Sequence, residues 1–291
     1  MNKEMQKYLD TIKSIFKDEI YDYQIISGTD GEATYGNVVF KINQKWIFRF
    51  SKKDIDIKQL EIEISFLKDF HKISPIPVPE IFYEGKNFMG CKVFDGEPFT
   101  KEIYDTLSAH EQEEIWKSIG IFLQALHSIE FQHKNLVEYP LGDNDFWNDL
   151  WKPIEGQLSK EVRKKALNYF EEYFVWEDQN PINKTICHGD FHPNHILYNK
   201  SSKSIVGIID FGRICINDPA VDFNLIERFF GNEAIEKVLH FYKQDVSDNF
   251  KEKIKFQNRR RLFAAFFHAK AVDQTSSFPR YLKRIEETFS D

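Results

Sequence analysis

Eight consecutive residues, His188 to His195, read H-G-D-F-H-P-N-H and hold three histidines and an aspartate. Side chains of these types ligate metals, carry protons or assist nucleophiles. Fifteen residues after His195 a second acid, Asp210, stands in I-I-D-F-G (Ile208 to Gly212). An acid on each of two loops suits phosphoryl transfer. Asp190 would accept the proton of an attacking hydroxyl, and Asp210 would hold Mg²⁺ against nucleotide phosphates. A rival chemistry uses H-x-D-x-H (His188, Asp190, His192) to clasp a transition metal, with His195 as a further ligand. Imidazole suits zinc, which would make a metal-dependent hydrolase. That rival explains neither Asp210-Phe211-Gly212 nor the strand-rich first third of the chain.

The order H-x-D-x-x-x-x-H followed by D-F-G parallels the protein-kinase order H-R-D-x-x-x-x-N and D-F-G. Gly189 takes the place of the arginine and His195 that of the asparagine, with Asn194 one residue early. Either His195 or Asn194 is left as the second metal ligand. His188 reads as a residue that holds the loop by bonding backbone. His192 reads as neither base nor ligand, and Cys187 as a small buried apolar residue.

Such a site also needs a phosphate-facing loop and a cation. Ser27-Gly28-Thr29-Asp30-Gly31 lies between two strand-like runs, where backbone N–H groups would face phosphate. The cation candidate is Arg49 in W-I-F-R-F, Trp46 to Phe50. Glu63, fourteen residues later on a predicted helix, is its expected partner, with Glu61 in competition.

The elements that must position these groups follow from periodicity. Met5, Leu9, Ile12, Phe16 and Ile20 mark an amphipathic helix over residues 3–20. Tyr23–Gly28, Gly31–Asn43 and Trp46–Phe50 read as two or three antiparallel strands. Ile55–Lys72 returns to helical period with Leu60, Ile64 and Leu67 on one face. A proline-punctuated loop, Ser74–Glu80, precedes a hairpin that ends at Asp95-Gly96. Leu107–Phe131 reads as a long helix with a capping box at Ser108 and Glu111. Residues 159–176 and most of 231–289 read as helical. The pattern is α+β, a strand-rich N-terminal part over 1–94 and a mostly helical part over 95–291.

The totals bound the function. The chain has 291 residues, net charge −7 and 28 phenylalanines, as expected of a globule with an aromatic core. The charge argues against nucleic acid and anionic membrane as partners. No run approaches the ~20 apolar residues of a membrane span, and the first residues lack the apolar stretch of a signal peptide. Three scattered cysteines, Cys91, Cys187 and Cys215, read as reduced thiols, so a cytoplasmic monomer is expected.

In that order, strand cation, helix acid, H-G-D-F-H-P-N-H-I-L, I-I-D-F-G and D-P-A-V-D-F resemble the aminoglycoside phosphotransferase family, from about Ser27 to Asp222. Histidine at position 195 is similar to the 2″-phosphotransferases and to the macrolide phosphotransferases. I-N-Q-K-W-I-F-R-F (Ile42 to Phe50) looks more like the 2″ group. The resemblance implies a two-lobed protein-kinase-like fold, with a β-rich N-lobe carrying one main helix, a larger mostly helical C-lobe, and ATP or GTP in the cleft between them. It implies Asp190 as catalytic base and His195 and Asp210 on Mg²⁺. It further implies Cys91, Lys92, Val93 and Phe94 as a hinge that meets the base, and Asp222 as a brace of the catalytic loop. The implied partner is a small-molecule alcohol, first an antibiotic aminoglycoside, with a macrolide, sugar or amino alcohol as alternatives. There are departures. Arg213 follows D-F-G where resistance enzymes of the 2″ group often carry an acid. Arg228 and the basic run 251–261 stand where acids for a polyamine are wanted. Asp143, Asp145, Asp149 and Glu227 are the available acids, none placed by motif.

Overall fold

The computed structural model describes residues 3–27, 37–52, 54–130, 136, 146–181, 183–243, 249–271 and 275–290. They pack as two units, Met1–Thr100 with Asn194–Arg213, and Lys101–Pro193 with Ile214–Asp291. No helix among the described residues is long and apolar enough to cross a membrane.

The first unit is built on an antiparallel sheet of order β1-β2-β3-β5-β4, from Tyr23–Ser27 (β1), Asn37–Ile42 (β2), Trp46–Ser51 (β3), Tyr83–Gly85 (β4) and Phe88–Lys92 (β5). Successive strand side chains point to opposite faces, and this sorts the sheet. Phe48 and Phe50 join Phe88 under helix α1 (Lys3–Ile15), which contributes Met5, Leu9 and Ile12 at helical spacing. Arg49 lies between those phenylalanines and so faces the other side. There α2 (Asp54–Phe70) packs Leu60 and Ile64 against Met89.

Helix α1 ends at Ile15 rather than continuing to residue 20. The Asn43 side chain supplies the reason. Its Nδ2 donates to the Glu19 carbonyl at 2.7 Å, and its Oδ1 accepts from the Tyr21 and Asp22 N–H groups. The chain there is hydrogen-bonded to a loop of the sheet instead of to the preceding turn.

A second, three-stranded sheet joins β6 (Glu97–Pro98), β8 (Ile196–Asn199) and β9 (Ser204–Ile208) in the order β6-β8-β9. Asn199 Oδ1 accepts the Ser201 and Ser202 N–H groups and turns the β8–β9 hairpin.

The second unit is mostly helical. It comprises α3 (Lys101–Asp105), α4 (Ala109–His127), α5 (Lys152–Glu155), α6 (Lys160–Gln179), α7 (Asn224–Phe230), α8 (Asn232–Phe241), α9 (Phe250–Ala271) and α10 (Phe278–Ser290). A two-stranded ribbon pairs β7 (Thr185–Cys187) with β10 (Cys215–Asn217). The capping box forms: Glu111 N–H donates to Ser108 Oγ, while the Ser108 N–H donates to the Glu111 carboxylate. Phe146, Trp151, Phe170, Phe256, Phe263 and Phe289 fill one aromatic core between α6, α9 and α10.

All three cysteines are free and buried. Burial pushes the Cys91 thiol up to about 11, with Glu63 adding to that and Arg49 opposing it. Thiolate is the reactive form. The native protein at pH 7.5 is therefore expected to resist iodoacetamide at all three positions and to label fully in denaturant, read by intact mass.

Candidate functional site

The first unit assembles four of the candidate residues. Arg49, on the α2 side of β3, forms an ion pair with Glu63 of α2. Its Nη1 also donates to Asp210 Oδ1 at 3.3 Å. The Arg49 and Glu63 side chains are 11% and 1% exposed, whereas Asp210 is 48% exposed. The buried pair thus presents an accessible carboxylate. Glu61, two residues from Glu63, is exposed. Burial raises the Glu63 carboxyl from its ordinary value, with Arg49 opposing and Asp210 reinforcing. Burial pulls the Arg49 guanidinium down, but Glu63 and Asp210 more than offset this and its pKa lies above the usual arginine value.

Three local devices aim Asp210. The β8–β9 hairpin pairs Ile196 with Ile208, and the Ile209 N–H donates to the His195 carbonyl at 2.9 Å. The hairpin therefore folds a fifteen-residue separation into adjacency. Phe211 is buried against Phe66 and Phe70 of α2, with ring centroids 6.0 and 6.1 Å apart. Asp210 itself adopts φ 64°, a left-handed conformation that non-glycine residues keep mainly where the surroundings impose it. Gly212 completes the turn. A Cβ there would lie 3.2 Å from Asp210 Oδ1 and within 4 Å of both Glu63 and Arg49.

His195 Nε2 lies 3.5 Å from Asp210 Oδ2, the oxygen that Arg49 does not take. Asn194 is exposed in the turn Pro193–His195. A carboxylate oxygen and an imidazole nitrogen side by side form a donor set able to share one cation. Mg²⁺ is a hard cation that binds through one or two carboxylates and completes its shell with waters and phosphates. The accessible Asp210 carboxylate fits that ion, and the His195 imidazole beside it is the softer donor.

The second unit holds Asp190. Its loop hangs on Asp222, which is fully buried and accepts the His188 N–H at 2.7 Å and the Gly189 N–H at 2.9 Å. Gly189 has φ 76°, the left-handed region where a side chain is strained, and this accounts for glycine in H-G-D. His127, also buried, bridges Asp222 Oδ2 at 3.0 Å and the Tyr242 hydroxyl at 2.8 Å. Asp218 caps the 3₁₀ turn Pro219–Asp222 by accepting the Ala220 N–H. His188 is buried against Phe191, and its Nδ1 faces the Asp190 N–H at 3.3 Å. Asp190 Oδ1 accepts from Arg261 Nη2 of α9 at 2.5 Å. The motifs named Asp222 but not His127 or Arg261. His127 carries a usable signal, since it continues the apolar face Ile119-Leu123-Leu126 of α4.

The remaining candidates are placed as follows. Ser27 ends β1, while Gly28 and Gly31 lie outside the described residues, as do Asp143 and Asp145. Cys91 is buried on β5 opposite Ile47, and Lys92 is exposed opposite Trp46. The Val93 N–H donates to the Lys45 carbonyl at 2.8 Å, and the Phe94 ring covers Gly207. Asp149 is exposed, and Glu227 accepts from Asn258 Nδ2 at 3.0 Å. The hydrolase triad does not assemble. Among the described residues the group able to converge on one ion is His127, Cys187 and Asp222. His188 and His192 instead pack on Phe191 and Phe229.

The family model described as the phosphotransferase enzyme family matches residues 31–252. The chain is similar to the uncharacterized protein YcbJ of Bacillus subtilis (strain 168), 32% identical over 78 residues; the match spans 26% of this chain and only a quarter, 25%, of that relative. Its fold is similar to the GDP and kanamycin complex of APH(2″)-IIIa, with TM-score 0.85 and 18% identity over 97% of each chain. It is also similar to a macrolide 2′-phosphotransferase of type I, with TM-score 0.74 and 14% identity over 99% of this chain and 98% of that one.

Asp222→Ala would leave the buried His188 N–H, the part-buried Gly189 N–H and the buried His127 without their partner. Each unmet buried group costs about 1–3 kcal/mol. Urea denaturation is expected to show a loss of about 3 kcal/mol or more, and a loss below about 1 kcal/mol would contradict the bracing role.

Proposed function

The chain belongs to the phosphotransferase enzyme family, and on that premise we propose that it moves the γ-phosphoryl group of ATP or GTP to a hydroxyl of a small molecule. The observation that carries this reading is the accessible Asp210 carboxylate, held through one oxygen by a buried arginine and standing beside His195 through the other. Asp210 and His195 would hold Mg²⁺, which when bound offsets charge on the nucleotide phosphates. Arg49, fixed by Glu63, contributes positive charge next to them. Asp190 orients the acceptor hydroxyl and takes its proton as the oxygen attacks the γ-phosphorus. The bond from that phosphorus to the bridging oxygen breaks, leaving nucleoside diphosphate and a phosphate monoester. Most of the acceleration comes from positioning and charge stabilisation. Kinship alone offers an aminoglycoside hydroxyl as acceptor, with macrolides, sugars and amino alcohols as alternatives. The reading itself requires only the hydroxyl.

Asp190→Asn is expected to lower turnover by about a hundredfold or more, the scale of general-base catalysis. Nucleotide affinity, measured by calorimetry, should stay within about twofold; wild-type turnover in that variant would remove Asp190 as base. His195→Ala is expected to raise the magnesium concentration for half-maximal turnover. An unchanged magnesium titration would transfer the ligand role to Asn194. A coupled nucleotide-turnover screen, run with ATP and GTP separately, identifies the acceptor. Tightly held zinc in the purified protein, with no nucleotide binding, would restore the hydrolase reading.

A further inference from the structure

Helix α9 buries a lysine. Lys253 is 1% exposed, and lysine is almost never buried so completely unless it is paired. Its ammonium lies 3.7 Å from Asp218 Oδ2 and 3.9 Å from Glu177 Oε1 of α6, and 5.7 Å from the centre of the Trp176 ring. These are contacts of charge, longer than hydrogen bonds, and charge acts strongly over such distances away from water. Burial raises the carboxyls of both Asp218 and Glu177, and Lys253 opposes that rise in each. Among the described residues no other lysine or arginine pairs with either acid. Lys251 of the same helix differs, since it pairs with Glu236 at the surface, where such pairs contribute little.

Asp218 divides its two oxygens. Oδ2 faces Lys253, while Oδ1 accepts the Ala220 N–H at 2.8 Å and so starts the turn Pro219–Asp222. Its carbonyl accepts the Val221 N–H at 3.0 Å within that turn. The turn ends on Asp222, which holds the His188 and Gly189 N–H groups, and Asp190 comes next in the chain. Asp218 also directly follows β10, whose partner β7 leads into the same loop. Helix α9 packs on the turn. A cation on α9 therefore reaches the Asp190 loop through two buried acids in series. Without it, Asp218 and Glu177 keep their burial and lose their counter-charge. A buried acid in that position takes up a proton or moves toward water, and either change loosens the turn.

We propose that Lys253 is a positioning residue: its charge holds Asp218, and through the turn and Asp222 it sets the loop that presents Asp190. What the loop then does rests on the phosphoryl-transfer reading. Lys253 acts through Asp218 and takes no part in the reacting step.

The test uses the full chain and Lys253→Met, which keeps an unbranched side chain and removes its charge. Amide exchange at residue resolution in native buffer reads the loop directly. The His188 and Gly189 amides are expected to accelerate about tenfold more than those of Phe122 and Leu123 in α4, whereas a general loss of stability accelerates both groups alike. Nucleotide turnover, with the acceptor from the screen above or to water, is expected to fall about tenfold or more while nucleotide affinity by calorimetry stays within about twofold. Lys251→Met is expected to change neither. Asp218→Asn keeps an oxygen for the Ala220 N–H and removes the charge that Lys253 holds. It is expected to give the same loop-selective exchange, and it supplies the reading if Lys253→Met does not fold.

Loop and α4 amides accelerating alike, or turnover within about twofold of wild type, would overturn the proposal and leave Lys253 a matter of stability only. A fall in turnover matched by lost nucleotide affinity would move the effect to the nucleotide and overturn it as well. Absence of nucleotide turnover in the wild type, even to water, would overturn the phosphoryl-transfer reading. The exchange pattern would then decide the link from Lys253 to the loop by itself.

Discussion

A guanidinium buried between two carboxylates organises the first unit. Arg49 cannot leave water without a counter-charge, so β3 must present it to the helix that carries Glu63. Removing one partner of such a pair costs about 3–5 kcal/mol, because the other charge is left stranded. The sheet register, the face of α2 and the turn after β9 are therefore tied to a single contact. Its second carboxylate, Asp210, is the accessible one, so the same arginine that holds the unit together also fixes the position of the acid that can meet a metal.

The second unit uses a buried acid in the same way. Asp222 is buried, and its oxygens are met by two backbone N–H groups and a histidine instead of an arginine. This brace takes the loop's backbone and leaves its own ionisable group, Asp190, out. A buried polar group in each unit holds backbone, and a more exposed acid beside it is left for chemistry. Gly189 and Gly212 serve this arrangement from the backbone side. One supplies a left-handed conformation, and the other leaves space for three charged side chains to approach.

Much of this was legible in the residues. Trp46–Phe50 reads as a strand and forms one, and helical spacing placed α2 and α4 to within a few residues. The end of α1 was not legible, because what stops it is a side chain, Asn43, more than twenty residues on. The choice between Glu61 and Glu63 was left open by the pattern. Both lie on one helix, and only the docking of α2 on the sheet turns Glu63 inward. Arg261 was noticed only as part of a basic run, with nothing to say that it touches Asp190, 71 positions away.

By itself the sequence determined the identities and order of the candidate groups, H-G-D before I-I-D-F-G, and with them the kind of chemistry. Those motifs are local: glycine conformation, hairpin pairing and residue spacing act within a few positions of one another. The tertiary structure alone decided which charges surround those groups. Coulomb interactions depend on distance in space and on burial, and Arg261 meets Asp190 across 71 positions of chain.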